Sequence, residues 1–250
     1  DREKLLSWTA ADFDKIRTRP VMWLPRTVIA NSPGSPVWDT EGKFSSFPKD
    51  QFFIGDQTQS NLIRCGIEKV GGEYQGWCVE FLRGTASGTV KMNFDDQGRL
   101  WTAQVGRGWL SKGGSRTGLQ YVEWDGKTTP FAIKNVNLTK KGFKVSFTEP
   151  INEGVVPEVN SWAYNYWSTY GSDNIDTATH ALTNATLSAD GKVLAFECSL
   201  EKEKVFEISF AGLVSKSGKA LLNTSAYYTL NNLLTDPQPR PSKRALIPGT

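Results

Sequence analysis

The chain has 250 residues, and its 29 Lys and Arg against 26 Asp and Glu give a formal net charge of only +3. This length is sufficient for two ordinary domains, each able to bury its own core, and we expect two. The basic residues are dispersed except over residues 240–244, and no apolar run approaches the roughly 18 residues of a membrane span, so the sequence predicts neither nucleic-acid binding nor a transmembrane helix.

The N-terminal segment, residues 1–19, is the one stretch with a helical pattern. Its apolar side chains are spaced loosely along one face, and Thr9 with Asp12 has the spacing of a capping box. Pro20 ends the pattern, so we predict a helix over residues 1–19. Because the chain begins inside this charged sequence, we also expect it to be a mature product or a piece of a longer protein.

Residues 20–127 contain alternating runs that are typical of half-buried strands. The predicted strands cover residues 51–56, 61–67, 74–81, 100–105 and 119–124. Turn glycines at Gly55 and Gly106 recur about 50 residues apart, which is a propeller-like period, so we predict about two blades. Because a closed propeller needs about four to eight blades, we expect additional polypeptide or a larger assembly to complete it.

A glycine-rich loop joins the last two of these strands. Several glycines interrupt it, but no phosphate-binding motif followed by a helix occurs, so no nucleotide is predicted. The loop carries the side chains of Arg107, Trp109, Lys112 and Arg116. These side chains would form a cationic and aromatic surface that contacts an anionic cofactor or a sugar. The alternative is a solvated loop with Trp109 packed against the edge of the blade.

Residues 128–235 change to short alternating strands joined by tight turns. The predicted strands cover residues 131–136, 142–147, 185–187, 193–198, 205–210 and 226–230. About seven strands over roughly 105 residues are typical of a β-sandwich, so we place a domain boundary at residues 127–130. Residues 236–250 are rich in proline and basic side chains without periodicity, and we predict a disordered tail there.

The densest aromatic cluster lies over residues 162–172. Trp162, Tyr164 and Tyr166 would share one face of an extended strand. Trp167 would lie on the other face. One face should be buried, and the other could stack on sugar rings or cover the propeller. Trp162 and Trp167 are therefore candidate ligand-binding residues.

The sequence offers few groups for catalysis. His180 is the only histidine and lies in the sandwich half, so we predict a surface or edge position for it and no catalytic residue in the chain. Asp56 with the pair Asp95 and Asp96 would supply oxygen ligands for calcium. The spacing of a calcium loop is absent, however, so a hairpin turn is the favoured interpretation and no metal site is predicted.

The three cysteines, Cys65, Cys78 and Cys198, lack the spacing of a metal or haem site. At most one disulfide can form among them within the chain, and Cys65 with Cys78 is the candidate pair. The alternative is three buried free thiols.

Motifs in both halves resemble known families. In the first half these motifs are WLPR at residues 23–26, NSP at 31–33, FFIGDQT at 52–58, YQG at 74–76 and GRGW at 106–109. They resemble the closing blades of secreted bacterial propellers similar to glucose/sorbosone dehydrogenases. In the second half, residues 145–152, 187–192, 206–208 and 211–213 resemble a bacterial immunoglobulin-like domain. The fold that these resemblances imply is all-β, with a short N-terminal helix, incomplete propeller blades and an immunoglobulin-like sandwich.

The propeller family is associated with pyrroloquinoline quinone, calcium and the oxidation of sugars, in secreted or periplasmic proteins. Such an oxidation needs a positioned general base, usually a histidine, and the propeller-like half contains none. The resemblance therefore implies a non-catalytic scaffold or interaction portion, with additional polypeptide as its partner. Two alternatives stay open. One is a carbohydrate-binding module that uses exposed Trp and Tyr, and the other is a quinone-dependent sugar oxidoreductase completed by other chains.

Overall fold

The computed structural model describes residues 7–106, 108, 110–168 and 170–236. Strands are almost the only regular secondary structure in this part of the chain, which confirms the all-β prediction. The elements are α1 (Ala10–Asp14), β1 (Val37–Asp39), β2 (Gln51–Asp56), β3 (Asn61–Val70), β4 (Glu73–Arg83), β5 (Thr89–Phe94), β6 (Leu100–Val105), β7 (Thr117–Val122), β8 (Ile133–Leu138), β9 (Gly142–Phe147), β10 (Glu158–Ala163), β11 (Ile175–Thr179), β12 (Thr183–Leu187), β13 (Val193–Glu197), β14 (Lys204–Ser209) and β15 (Ser225–Leu230). Within the described ranges, no helix is long and apolar enough to cross a membrane. The predicted disordered tail lies outside the described residues, apart from its first residue.

Helix α1 begins where the sequence predicts a capping box. The Thr9 hydroxyl accepts from the Asp12 N–H, and the Asp12 carboxylate accepts from the Thr9 N–H at 3.0 Å. These bonds satisfy N–H groups that have no partner inside the helix. The hydrogen bond from the Thr9 hydroxyl to the Asp12 carboxylate is the main cause that lowers the pKa of this carboxyl to about 2.

The helix has only five residues, so the prediction of a helix over residues 1–19 is wrong for the described residues outside Ala10–Asp14. The Arg17 side chain instead reaches the carboxylate of Glu203, which precedes β14, at 2.5 Å. The chain after the helix therefore lies against the β-structure. Residues 1–6 are outside the described part of the chain.

The strands form three antiparallel sheets. The largest has eight strands in the order β1-β2-β3-β4-β15-β14-β10-β11, the second has four in the order β12-β13-β9-β8, and the third is the meander β5-β6-β7. In the largest sheet β4 pairs with β15, with Cys78 opposite Tyr227. One sheet therefore contains strands from both sides of the boundary placed at residues 127–130, while the division of the chain into domains stays a prediction.

The main apolar core lies between the four-stranded sheet and the middle of the eight-stranded sheet. Phe143 on β9 is fully buried, and its ring centroid lies 5.3 Å from that of Phe206 and 5.2 Å from that of Tyr228. Side chains from facing sheets interlock in this way because alternate residues of each strand point to one face. The strand predicted over residues 142–147 is β9, with the same bounds.

Arg64 on β3 connects the first half of the chain to β8. Its side chain is 1% exposed and donates hydrogen bonds to Gln51 and to the backbone carbonyls of Ile133 and Lys134. The guanidinium carbon lies 4.1 Å from the centroid of the Phe47 ring, whose face attracts a cation. Burial lowers the pKa of this guanidinium to about 9, because a charge away from water is costly.

The three-stranded sheet packs against β2 partly through Leu100 and partly through glycines. A Cβ atom at Gly55 would lie 2.2 Å from Cγ2 of Thr89, and one at Gly88 would lie 2.1 Å from the carbonyl oxygen of Gln57. Only glycine permits so close an approach of neighbouring backbones. Strand β5, which is not among the predicted strands, provides one side of this contact.

Candidate functional site

A groove of about 310 Å³ opens beside the loop that follows β10. We name it the aromatic groove, and its lining includes Trp23, Arg26, Tyr164, Tyr166, Trp167 and Tyr170. The ring centroids of Trp23 and Tyr164 lie 5.1 Å apart, so these two rings form one continuous wall. Trp167 is 44% exposed. Accessible aromatic rings of this kind can bury the apolar face of a small ligand.

The loop after β10 holds Trp167 in place through its own hydrogen bonds. The Asn165 N–H donates to the Ser172 hydroxyl at 3.0 Å. Nε1 of Trp167 donates to the carbonyl of Gly171 at 2.7 Å. Gly171 has a φ of 78°, which residues with a side chain rarely adopt, so glycine is favoured at this turn.

Arg26 lies where the aromatic groove meets a second cleft. Its guanidinium carbon is 5.5 Å from the centroid of the Tyr170 ring, which is within cation–π range. Both residues also line the second cleft, which has a volume of about 690 Å³ and whose other lining residues include Asn31, Gln57 and Thr58. A ligand that follows both clefts would therefore pass the Arg26 side chain.

Of the two aromatic candidates from the sequence, only Trp167 lines the aromatic groove. Trp162 on β10 is 6% exposed, and its ring centroid lies 6.3 Å from that of Tyr227 and 6.5 Å from that of Tyr164. This placement in the core corrects the expectation that Trp162 faces a ligand. The alternation assumed for this segment stops because β10 ends at Ala163.

The glycine-rich loop joins β6 to β7 and lines a separate cleft of about 590 Å³. Of the four candidates on this loop, Arg107 and Trp109 lie outside the described residues. Lys112 and Arg116 are both exposed, and Arg116 lines the cleft. The backbone N–H of Lys112 donates to the carbonyl of Thr58 at 2.9 Å. The backbone therefore anchors the loop to the turn after β2 of the eight-stranded sheet, and the side chains of Lys112 and Arg116 stay accessible to solvent.

His180 follows β11, the edge strand of the eight-stranded sheet, and does not line the cleft beside the glycine-rich loop. Its Nε2 atom lies 2.8 Å from the Ser161 hydroxyl, and its ring centroid lies 5.2 Å from that of Phe206. Burial, and then the nearby charge of Lys204, lower the pKa of this imidazole. Its contacts are therefore those of a side chain packed at the edge of the core.

Two of the three carboxylates considered as calcium ligands, Asp56 and Asp95, already bind N–H groups. Asp56 is fully buried and accepts from three backbone N–H groups at 2.7, 2.6 and 2.7 Å. Asp95 accepts from Arg99 at 2.6 Å and from Nε1 of Trp101 at 2.7 Å, next to the predicted hairpin turn. Within the described ranges, no group of three or more His, Cys, Asp or Glu side chains is arranged to hold a metal ion. The hydrogen bonds of Asp56 and Asp95 hold the backbone of their turns in place.

Cys65 and Cys78 lie directly opposite each other on β3 and β4. Both are buried free thiols, and burial raises the pKa of each. Cys198 is half-buried, and burial raises the pKa of its thiol to about 11. Because the thiolate is the reactive form, all three cysteines are poor nucleophiles in this fold.

Comparisons of the chain with protein families, with curated proteins and with solved structures find no significant match. The resemblance to sugar-dehydrogenase-like propellers and to immunoglobulin-like domains therefore stays an expectation from sequence motifs. The features of this chain that can indicate a function are its open strand edges and its clefts.

Proposed function

We propose that the chain is the non-catalytic scaffold and interaction portion of a secreted or periplasmic, sugar-dehydrogenase-like propeller protein. In this proposal, β1–β4 and β5–β7 are two blades of a propeller that additional polypeptide completes, and β8–β15 include an immunoglobulin-like domain. The strand order supports the blade assignment of β5–β7, which form an antiparallel meander and a sheet of their own. Strands β1–β4 are also a meander in chain order, but their sheet continues from β4 into β15.

The observation that carries this proposal is the open edge of β7. This strand pairs with β6, and no described strand pairs with its other side. The Gly106 N–H donates to the Arg116 carbonyl at 2.8 Å, which sets the alternation of hydrogen bonds between the two strands. The backbone N–H and C=O groups of Thr117, Leu119 and Tyr121 therefore point away from β6, where a further strand could pair with them.

The side chains of β7 leave this edge unprotected. Leu119 is 69% exposed and Tyr121 is 47% exposed. The strand contains no Lys and no Pro, which are the residues that most often prevent an edge strand from pairing. A polypeptide partner that covers β7 would explain why an apolar edge is retained.

A proline at position 119 tests this proposal. Leu119→Pro removes an outward N–H without removing a hydrogen bond to β6, whereas the matched control Leu119→Thr shortens the side chain and keeps the N–H. Without its partner, the chain should associate through β7 as concentration rises, and sedimentation equilibrium should show weaker association for Leu119→Pro than for Leu119→Thr. A monomer at all concentrations, with slow hydrogen exchange at Leu119 and Tyr121, would contradict the proposal.

The same proposal assigns sugar oxidation to other polypeptide. Pyrroloquinoline quinone and calcium would be held outside this chain, which the occupied carboxylates of Asp56 and Asp95 support. Supplied with quinone, calcium and glucose, the purified chain should reduce no dye. Turnover that Arg107→Ala abolishes would instead favour the alternative of a quinone-dependent oxidoreductase.

A second candidate function, non-catalytic carbohydrate binding, is favoured by the aromatic groove. The rings of Trp23, Tyr164 and Trp167 offer the stacking surface that sugar rings use. Trp167→Ala should weaken oligosaccharide binding about tenfold in isothermal titration. The matched control is Trp38→Ala, because Trp38 is also 44% exposed but lies on β1, outside the groove. Equal loss in both variants would contradict this function.

A further inference from the structure

Arg26 is an accessible cation with no ion-pair partner among the described residues. Its side chain is exposed, and no described carboxylate lies within ion-pair distance of it. The Tyr170 ring lies against its guanidinium. Gly171 makes this position possible, since a Cβ atom there would lie 2.8 Å from one guanidinium nitrogen. A guanidinium supported by a ring keeps its N–H groups available for a planar, two-oxygen acceptor such as a carboxylate.

The rest of the aromatic groove carries no charge. Among the described residues of its lining, the polar side-chain groups other than Arg26 are phenols, indole N–H groups, the Asn165 amide and the Ser172 hydroxyl. A neutral sugar would use the rings and these groups but would leave the guanidinium without a partner. A sugar that carries a carboxylate would use the rings and the charge together. The groove is therefore complementary to an acidic sugar more than to a neutral one.

The second cleft extends this site beyond Arg26. Asn31, Gln57 and Thr58 in its lining offer amide and hydroxyl groups that can bind sugar hydroxyls. The volumes of about 310 Å³ and 690 Å³ on the two sides of Arg26 are in the range of small-ligand sites. A linear ligand of several rings fits this arrangement better than one ring does.

We propose that the aromatic groove and the second cleft together bind an oligosaccharide of uronic acid. One ring stacks on the wall formed by Trp23 and Tyr164, its carboxylate pairs with Arg26, and the following rings occupy the second cleft. This ligand assignment rests on the carbohydrate-binding function above and specifies its substrate class. No bond is made or broken.

Isothermal titration of the whole chain with three oligomers tests the assignment. These are a galacturonate tetramer, its methyl ester and a sulfated galactose oligomer. The methyl ester keeps the rings and loses the charge, so it should bind about twofold to tenfold more weakly than the acid, as expected for an accessible but bidentate ion pair. Affinity for the acid should also fall as salt rises, because the pair with Arg26 is accessible to solvent.

Arg26→Gln should weaken binding of the acid by the same factor and leave the ester unchanged. Lys144→Gln is the matched control, because Lys144 is an exposed cation on β9, outside both clefts of the site, and this variant should bind like the unaltered chain. Thermal unfolding of each variant shows whether it is folded, and the comparison of acid with ester on the unaltered chain does not depend on any variant.

Equal affinity for acid and ester, with loss on Trp167→Ala, would overturn the role of Arg26 and leave carbohydrate binding intact. Tighter binding of the sulfated oligomer than of galacturonate would overturn the carboxylate assignment. Absence of binding by all three oligomers and by neutral oligosaccharides would overturn both the ligand assignment and the carbohydrate-binding function.

Discussion

The four-stranded and three-stranded sheets are attached to the eight-stranded sheet in different ways. The four-stranded sheet packs through many buried apolar side chains, with Phe143 at their centre. In the three-stranded sheet, Leu100 is the one fully buried hydrophobic residue among those described. Met92 and Phe94 are partly buried beside it, and the rest of the contact relies on glycines and buried polar side chains. Apolar burial stabilises in proportion to area and has little directionality, whereas hydrogen bonds and backbone contacts require one geometry.

The polar contact of the three-stranded sheet also shapes the second cleft. The lining of this cleft includes Gln57 and Thr58 from the turn after β2, Val90 from β5 and Val105 from β6. Nε2 of Gln57 donates to the carbonyl of Val105 at 3.3 Å across this contact. A shift of the three-stranded sheet would therefore change the cleft directly. We infer that the apolar contact, between the four-stranded and eight-stranded sheets, contributes most of the stability of the fold. The polar contact, between the three-stranded sheet and β2, positions the second cleft.

The largest expected effect is in the apolar contact. Phe143→Ala should lower the free energy of unfolding by about 3–5 kcal/mol, because it removes a fully buried ring that touches both sheets. Denaturant unfolding measures this loss. Tyr74→Ala is the control, since Tyr74 is 53% exposed and should cost much less. Similar losses in the two variants would show that this contact is not the main source of stability.

A smaller loss is expected at Asp56, which connects the end of β2 to residues 31 and 32 and directly precedes Gln57 of the polar contact. Asp56→Asn keeps the shape of the side chain but places an NH₂ group against one of the three backbone N–H groups that the carboxylate binds. The unfolding free energy should fall by about 3 kcal/mol, because a buried donor loses its acceptor and the other bonds lose their charge. An unchanged unfolding midpoint would mean that solvent reaches these N–H groups.

A substitution at Gly88 should change the position of the three-stranded sheet more than it changes the free energy of unfolding. Gly88→Ala places a Cβ atom 2.1 Å from the Gln57 carbonyl oxygen, so β5 must move away from β2 at a cost of about 2 kcal/mol. Gly114→Ala is the matched control, since a Cβ atom there meets nothing within 4 Å. Ligand affinity should fall more in Gly88→Ala than in Phe143→Ala measured well below its unfolding temperature. The reverse order would contradict the separation of roles.

Local patterns in the sequence account for most strands and for little of the candidate site. The strands at residues 51–56 and 142–147 were predictable because alternation and bounding turns lie within a few residues of one another. Strand β5 was missed although Val90, Met92 and Phe94 alternate with polar residues, so its local pattern was sufficient to predict it. Its close contact with β2 was not predictable, because Gly55 and Gly88 give no hydrophobic signal.

The same limit applies to the aromatic groove. The cluster over residues 162–172 was visible, but composition does not distinguish the buried Trp162 from the accessible Trp167. Trp23 and Arg26 come from a proline-containing segment far away in sequence, and nothing local indicates that they meet Tyr164. The motif WLPR was the one signal that pointed to this segment, and it carried no information about its neighbours.

The smallest expected effect is a pH dependence at the edge of the apolar contact, where His180 packs on Phe206. Burial lowers the pKa of His180 in the folded chain below its ordinary value of 6.5. Above about pH 6.5 the imidazole is neutral in both states, but as pH falls below that value the unfolded chain binds a proton that the folded chain resists. Stability should therefore decrease as pH falls from about 6.5 through the folded pKa, and then level off for this group.

His180→Asn should remove this part of the pH dependence. Urea unfolding between about pH 5 and pH 7.5 measures it, as the difference in unfolding free energy between the two proteins at each pH. The difference should shift in favour of the variant as pH falls, because the variant has no imidazole that must stay unprotonated in the folded state. Lys204 and Glu201, which lie near the imidazole, are present in both proteins and cancel in the difference. Since the polar contact of the three-stranded sheet has no histidine, Gly88→Ala should keep the pH dependence of the unaltered chain. A constant difference between His180→Asn and the unaltered chain at every pH would mean that the imidazole is as solvated in the folded state as in the unfolded one.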